Sequence, residues 1–291
     1  MRLPPLLVAL RPHQWSKNLL VFVSLLAGHQ LDDLPLLGLT TLCFAAFCLA
    51  ASGGYLLNDL ADLRDDRAHP AKRQRPVASG ALLSRTAAAV AVALLGAALG
   101  LAFTVSTELA LCLAAYVLAS QLYTVWAKRK LALDVVFLAG LYTTRIIAGV
   151  VVSGVSPSFW LLAFSMFLFF SLANLKRYVE IVSRGETDLE AFSARAYKAS
   201  DSQIVAMHGI GSGLVSVLVL AFYLDSREVM RLYANPGLLW LACPLLLYWI
   251  TRAWTLAGRN QVHDDPIVFA LRDPVSYVLL GLLAVIAMAA T

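Results

Sequence analysis

The sequence predicts an all-α integral membrane protein, and three observations carry that prediction. Hydrophobic residues make up 60% of the 291-residue chain and charged residues only 14%, with a mean hydropathy of +0.74; an ordinary soluble domain carries about 25% charge. Long apolar runs recur along nearly the whole chain, each sized for a helix that satisfies its own backbone in lipid. The basic residues also sort strongly to one side of those runs, as they do in polytopic proteins. A soluble helical bundle fits poorly, because almost every helix would be apolar all round.

Nine spans are expected, at 15–31, 36–57, 86–106, 108–126, 132–151, 157–175, 202–224, 236–254 and 273–290. The first is short and carries Trp15, a residue type that favours the membrane interface. With the N-terminus inside, 20 of the 23 Lys and Arg face the cytoplasm. Only Arg227 and Arg231 face the other side, and Arg145 lies within the fifth span. The expected location is therefore the inner (cytoplasmic) membrane, with an odd span number placing the C-terminus opposite the N-terminus. The net charge of +5 follows from this topology and from phosphate handling, and nothing calls for nucleic acid.

The opening MRLPPLLVALRPHQW is too short and too broken by proline for a cleaved signal, and is expected to remain. The four cysteines, Cys43, Cys48, Cys112 and Cys243, lie inside apolar runs without metal-ligand spacing, and the five histidines are scattered. Asn58 and Asn174 close the second and sixth spans in similar contexts, which hints at two four-helix halves within a single domain over 1–291. No residue-level repeat supports that division.

After the second span comes NDLADLRDDRAHPAKRQRPVASG, from Asn58, with four carboxylates and six basic side chains counting His69. Asp59, Asp62 and Asp66 follow an i, i+3, i+7 spacing that places them on one helical face, with Tyr55 on the same face and Asn58 and Asp65 at its edge. Carboxylates so close repel unless a cation lies among them, and an oxygen-only donor set suits a hard ion such as Mg²⁺. The plain alternative is a solvated acidic helix end balanced by the nearby arginines, but carboxylates clustered where a membrane span emerges are costly and usually functional. Pro70 and Pro76 prevent the helix from continuing, so Lys72, Arg73 and Arg75 are expected on a loop. Carboxylates, a metal and nearby cations together suit a reaction that expels diphosphate. Lipid headgroups are the rival partner for that basic loop.

This stretch resembles the first aspartate-rich motif of the UbiA-type prenyltransferase superfamily, NDxxDxxxD followed by a basic segment and RPxxSG. Asn58, Asp59, Asp62 and Asp66 match it position for position. The resemblance implies a nine-helix bundle with a central cavity open to the cytoplasmic side, Asn58, Asp59, Asp62 and Asp66 as Mg²⁺ ligands, and the three aspartates as catalytic residues. LRPHQWSKNLLVF at 10–22, YTVWAKRKLALDVVFLAGLYTTRIIAGV at 123–150 and HDDPIVFALRD at 263–273 look like the decaprenyl-phosphate phosphoribosyltransferase branch. They bring Lys17, Tyr123 and Lys128 forward as substrate-binding candidates, alongside Tyr55, Lys72, Arg73 and Arg75.

Aromatic prenyltransferases of the superfamily carry a second DxxxD motif after the sixth span. Here the chain reads NLKRYVEIVSRGETDLE, with Glu180 and Glu186 but no DxxxD. A donor such as phosphoribosyl pyrophosphate carries an extra 5-phosphate, for which Lys176 and Arg177 are candidates, with Tyr178 as a hydrogen-bonding neighbour. Their alternative role is to anchor the helix end at the membrane surface. Arg145, costly in mid-span, is expected to meet a substrate phosphate, or else a structural partner such as Asp134 or a motif aspartate. Arg259, Asp264 and Asp265 belong to a motif-like stretch to which chemistry assigns no role.

The expected activity is Mg²⁺-dependent transfer of 5-phosphoribose from phosphoribosyl pyrophosphate to a polyprenyl phosphate, with membrane lipids around the acceptor's tail. Both substrates come from the resemblance; the residues themselves imply only diphosphate chemistry at a membrane face. The competing reading is prenyl transfer from an allylic diphosphate to an aromatic or other small acceptor. A transporter would need a polar pathway across the bilayer, and intramembrane charge is nearly limited to Arg145.

Overall fold

Length explains how charge and lipid coexist in this chain. In the computed structural model, α3 (Leu34–Ala61) has 28 residues, or about 42 Å at 1.5 Å per residue, against a hydrocarbon core of about 30 Å. One end must therefore leave the apolar layer, and that end carries Asn58 and Asp59. The structure describes residues 4–70, 72–155, 158–184, 197–262, 266–270 and 272–291, which are helical with no strand among them.

Seven helices are long and apolar enough to cross a membrane, and they coincide with the second to eighth expected spans. The ninth forms a 17-residue apolar helix, Pro274–Ala290. The first takes an unexpected form: a 3₁₀ helix over Pro12–Phe22 runs into the short α2 (Val23–Ala27), after α1 (Pro5–Leu10). Eleven 3₁₀ residues at about 2.0 Å each plus five α residues at about 1.5 Å reach about 30 Å. Hydropathy reports an apolar run but cannot report this stretched geometry.

The described residues fall into two compact units, one from 4–137 and 144–155, the other from 138–143, 158–184 and 197–291. In the first, α3 packs against α4 (Leu63–Ala68), α5 (Ser84–Val105) and α6 (Thr107–Val125), and part of α7 (Leu133–Ser153) belongs to the same unit. Its small buried run Ala50, Ala51, Ser52, Gly53, Gly54 lets neighbouring backbones close in. Ala9, Leu56, Val77, Leu82, Ala87 and Ala91 form a core joining α1, α3, the loop after α4 and α5. Gly149 of α7 lies so near the 3₁₀ helix that an added Cβ would come within 2.0 Å of the Val21 carbonyl oxygen.

The second unit holds α8 (Phe159–Arg184), α9 (Ser202–Leu224), α10 (Arg227–Leu232), α11 (Ala242–Gly258), α12 (Pro266–Ala270) and α13 (Pro274–Ala290). Gly209 on α9 makes room for the Trp254 ring, which an added Cβ would approach to 2.1 Å. The Trp254 Nε1–H donates to Ser171 Oγ at 3.1 Å, tying α11 to α8. Arg252 grips Asp273 through two hydrogen bonds of 2.8 and 2.9 Å, and Asp273 caps α13 through the Ser276 N–H at 2.9 Å.

Candidate active site

The acidic stretch forms where α3 leaves its apolar surroundings. Asp62 interrupts the helix by one residue, at φ −93° and ψ 10°, yet its N–H still donates to the Asn58 carbonyl at 2.9 Å. The Asp66 N–H donates to the Asp62 carbonyl at 2.8 Å, so the ladder continues and the three aspartates keep roughly helical spacing. Asp59 and Asp66 are each only 2% exposed, whereas Asp65 is exposed.

Each carboxylate meets a cation from elsewhere in the same unit. Arg11 and Arg75 both donate to Asp59 Oδ1, Arg75 at 3.3 Å, and Arg75 Nη1 also donates to Asp66 Oδ2 at 2.8 Å. Lys128 Nζ donates to both Asp62 oxygens, at 2.6 and 2.7 Å. Asn58 Oδ1 accepts from the Thr124 hydroxyl at 2.7 Å. The expected basic loop folds back accordingly: it forms a 3₁₀ turn at Lys72–Gln74, Arg73 stays exposed, Lys72 is half-buried, and Arg75 turns onto the acidic face.

Arg11 was not among the residues expected here. It takes a left-handed backbone, φ 51° and ψ 56°, immediately before Pro12, a conformation costing a non-glycine residue about 1–3 kcal/mol. That turn points its guanidinium over the Tyr55 ring, 5.1 Å from the centroid, and onto Asp59. Ser52 fastens the strap in place, donating to the Leu10 carbonyl and accepting from Trp15 Nε1, each at 3.0 Å. A signal was available: Arg11-Pro12 and Arg75-Pro76 are both Arg-Pro pairs, and both arginines reach the same carboxylate oxygen.

Asp59 Oδ2 is buried without a hydrogen-bond partner, an open acceptor on a residue almost wholly withdrawn from solvent. Together with the hard oxygen donors beside it, this suits a cation such as Mg²⁺. Among the described residues no group of three or more acidic, His or Cys side chains is drawn together tightly enough to hold a metal ion. Arg11, Arg75 and Lys128 hold Asp59 Oδ1, both Asp62 oxygens and Asp66 Oδ2 instead.

Deeper in the unit, α3 and α6 meet along a seam: Phe47 packs on Tyr116 with centroids 5.0 Å apart, Gly54 lies beside Gln121 and Asn58 bonds Thr124, while Asp62 and Lys128 pair just past the ends of both helices. At the deep end sits Arg145, 5% exposed, donating to Asn18 Oδ1 at 2.8 Å and to the Tyr116 hydroxyl at 2.9 Å. Its guanidinium also lies 4.7 Å from the Tyr116 ring centroid. Lys17 is buried at 8% exposure, and Tyr123 on α6 is half-buried.

The remaining candidates belong to the second unit. Arg177 is 1% exposed and donates to Glu180 at 2.5 Å. Such burial is incompatible with a simple surface anchor. Lys176 and Tyr178 are half-buried, and the Tyr178 ring packs 5.9 Å from that of Trp254. Arg259 is exposed just past α11, while Glu186, Asp264 and Asp265 lie outside the described residues.

Known proteins resemble this chain in sequence and in fold. The protein y4nM of Sinorhizobium fredii is 37% identical over 94% of this chain, which spans about half (54%) of that protein's length. The nodulation protein NoeC of Azorhizobium caulinodans is 35% identical, over 94% of this chain and 89% of its own. Decaprenyl-phosphate phosphoribosyltransferase of Mycolicibacterium smegmatis is 31% identical, over 94% of this chain and 88% of its own. Among solved structures, a UbiA homolog from Archaeoglobus fulgidus bound to GPP and Mg²⁺ shares the fold with a TM-score of 0.73. It does so at 16% identity, over 98% of this chain and 99% of the other. The profile of the UbiA prenyltransferase family matches residues 19–272, and on that match, with seven apolar helices and the NDxxDxxxD face in place, the chain belongs to the UbiA prenyltransferase family.

Proposed function

We propose that this membrane protein transfers 5-phosphoribose from phosphoribosyl pyrophosphate to a polyprenyl phosphate and releases pyrophosphate. The observation that carries the reading is the layered site itself: Asn58, Asp59, Asp62 and Asp66 meshed with Arg11, Arg75 and Lys128 at the end of a membrane helix. Similarity across 94% of the chain to an enzyme named for this transfer supports the choice of donor and acceptor.

Asn58, Asp59, Asp62 and Asp66 would hold Mg²⁺, which supplies charge neutralisation for the departing diphosphate. Arg11, Arg75 and Lys128 are placed to exchange carboxylate partners for diphosphate oxygens, keeping the layer neutral as substrate enters. The bond from the anomeric carbon to the diphosphate oxygen breaks, and one from that carbon to the lipid phosphate oxygen forms. The attacking oxygen is already anionic, so no general base is required. Arg145 and Lys17 would face a substrate phosphate from within the first unit; in the second, Lys176 and Arg177 would bind a phosphate group, with Tyr178 beside them. Tyr55, Lys72, Arg73 and Tyr123 would line the approach.

Purified protein given Mg²⁺, labelled polyprenyl phosphate and phosphoribosyl pyrophosphate should form a phosphoribosyl lipid, and EDTA should stop it. Consumption of geranylgeranyl diphosphate with an aromatic acceptor, and none of phosphoribosyl pyrophosphate, would replace this reading with prenyl transfer.

The charge asymmetry further supports an inner-membrane orientation with the acidic face in the cytoplasm. In a cysteine-free background, Asp32→Cys should react with an impermeant maleimide from outside. Ser79→Cys should react only after permeabilisation; labelling of Ser79→Cys in intact cells would reverse the orientation.

A further inference from the structure

The seam between α3 and α6 contains one group the proposed chemistry does not use. The Gln121 amide nitrogen is buried without a hydrogen-bond partner. Leaving such a donor unpaired is costly, which is why buried polar groups are nearly always satisfied. Along α6, Gln121 sits three residues before Thr124, so the two share one face. It therefore lies about 4.5 Å further along the helix than the Asn58–Thr124 contact, by helical rise.

Opposite the amide is Gly54, one turn before Asn58 on α3. A Cβ placed there would stand 3.6 Å from Gln121 Nε2, in ordinary contact. Glycine costs a helix interior roughly 0.5–1 kcal/mol relative to alanine. Here its hydrogen leaves the amide uncovered by carbon. A group joined to a diphosphate at the aspartate layer and running inward along this seam would meet this donor first.

That geometry separates two classes of diphosphate ester. An isoprenoid has only hydrocarbon beyond its diphosphate, so binding it would bury the unpaired N–H against methylenes. A sugar presents hydroxyl oxygens at that depth. We infer that Gln121 is a specificity-determining residue whose carboxamide N–H donates to a hydroxyl of the donor's sugar, admitting a sugar diphosphate and rejecting an allylic one. A site built to hydrogen-bond an oxygen discriminates strongly against an analogue lacking it. This inference rests on the phosphoribosyl reading and names the residue that enforces it.

The test is calorimetric binding to the purified full chain with Mg²⁺, using phosphoribosyl pyrophosphate, geranyl diphosphate and inorganic pyrophosphate. In Gln121→Leu, phosphoribosyl pyrophosphate should weaken about three- to tenfold, the equivalent of one neutral hydrogen bond. Geranyl diphosphate should tighten by about fivefold or more as the unpaired donor disappears. Pyrophosphate should move less than about twofold, which a general packing defect would not allow. Gly54→Ala gives an independent check, since its methyl fits and covers the amide; it should shift the first two ligands in the same directions. Unchanged affinities for both ligands in Gly54→Ala and in any folded Gln121→Leu overturn the inference, as does parallel weakening of all three. If the wild type binds geranyl diphosphate and not phosphoribosyl pyrophosphate, the phosphoribosyl reading itself fails. If it binds phosphoribosyl pyrophosphate and only the variants' pattern is absent, that reading stands and the role of Gln121 falls.

Discussion

Asp59→Asn should lower turnover by about a hundred- to a thousandfold, the usual loss when one preorganised electrostatic contact to developing charge is removed. The substitution preserves shape and removes a full negative charge from the most enclosed point of the acidic face. Its Oδ2, open in the structure, would become an amide nitrogen or a neutral oxygen, either a far poorer partner for a hard cation. Arg11 and Arg75 would lose their shared partner, but these side chains are 23% and 31% exposed. The stability loss should thus stay below the roughly 3–5 kcal/mol of breaking a fully buried pair. Initial rates with labelled donor, beside thermal unfolding in detergent, separate the two effects. Near-wild-type turnover would remove Asp59 from the chemistry.

Arg145→Leu should raise KM about ten- to hundredfold for one of the two phosphate-bearing substrates, the worth of about 1.5–3 kcal/mol in a charge-assisted contact. The substrate whose KM moves identifies the phosphate that Arg145 meets. Arg145→Lys should rescue little, because Asn18 and Tyr116 engage separate nitrogens of a planar fork that an ammonium cannot reproduce. Affinity for inorganic pyrophosphate should hold, since that anion belongs to the aspartate layer. Unchanged KM for both substrates would make Arg145 a purely structural residue.

Much of this architecture could be read before any coordinates. Residues with strong, local signals were legible: the apolar runs that became α3 and α5 through α9, and the i, i+3, i+7 aspartates that kept their spacing across the interruption at Asp62. What escaped depends on distant partners. Arg11 reaches Asp59 across 48 positions only because a left-handed turn before Pro12 redirects the chain. Lys128 reaches Asp62 across 66 positions because α6 packs on α3. The sequence offered nearby arginines as a balance for the carboxylates, as Arg75 proves to be, but not the distant Arg11 and Lys128. Gln121 carried no motif at all; its interest arises from a missing partner, which spacing along a chain cannot express. The first span escaped for a different reason, since hydropathy is blind to whether an apolar run winds as an α or a 3₁₀ helix.

The contact between Phe47 and Tyr116 bears on a separate demand, that of insulation. A line of polar groups descending from an acidic face invites ions and protons to follow it, and a leak would discharge the gradient across the bilayer. Two buried aromatic rings 5.0 Å apart narrow that line at its inner end. Beside them the fixed positive charge of Arg145 repels any cation that arrives, the same pairing of apolar constriction and electrostatic barrier by which selective pores exclude ions. An acidic face and a buried arginine can thus share one bundle while the membrane around it keeps its voltage.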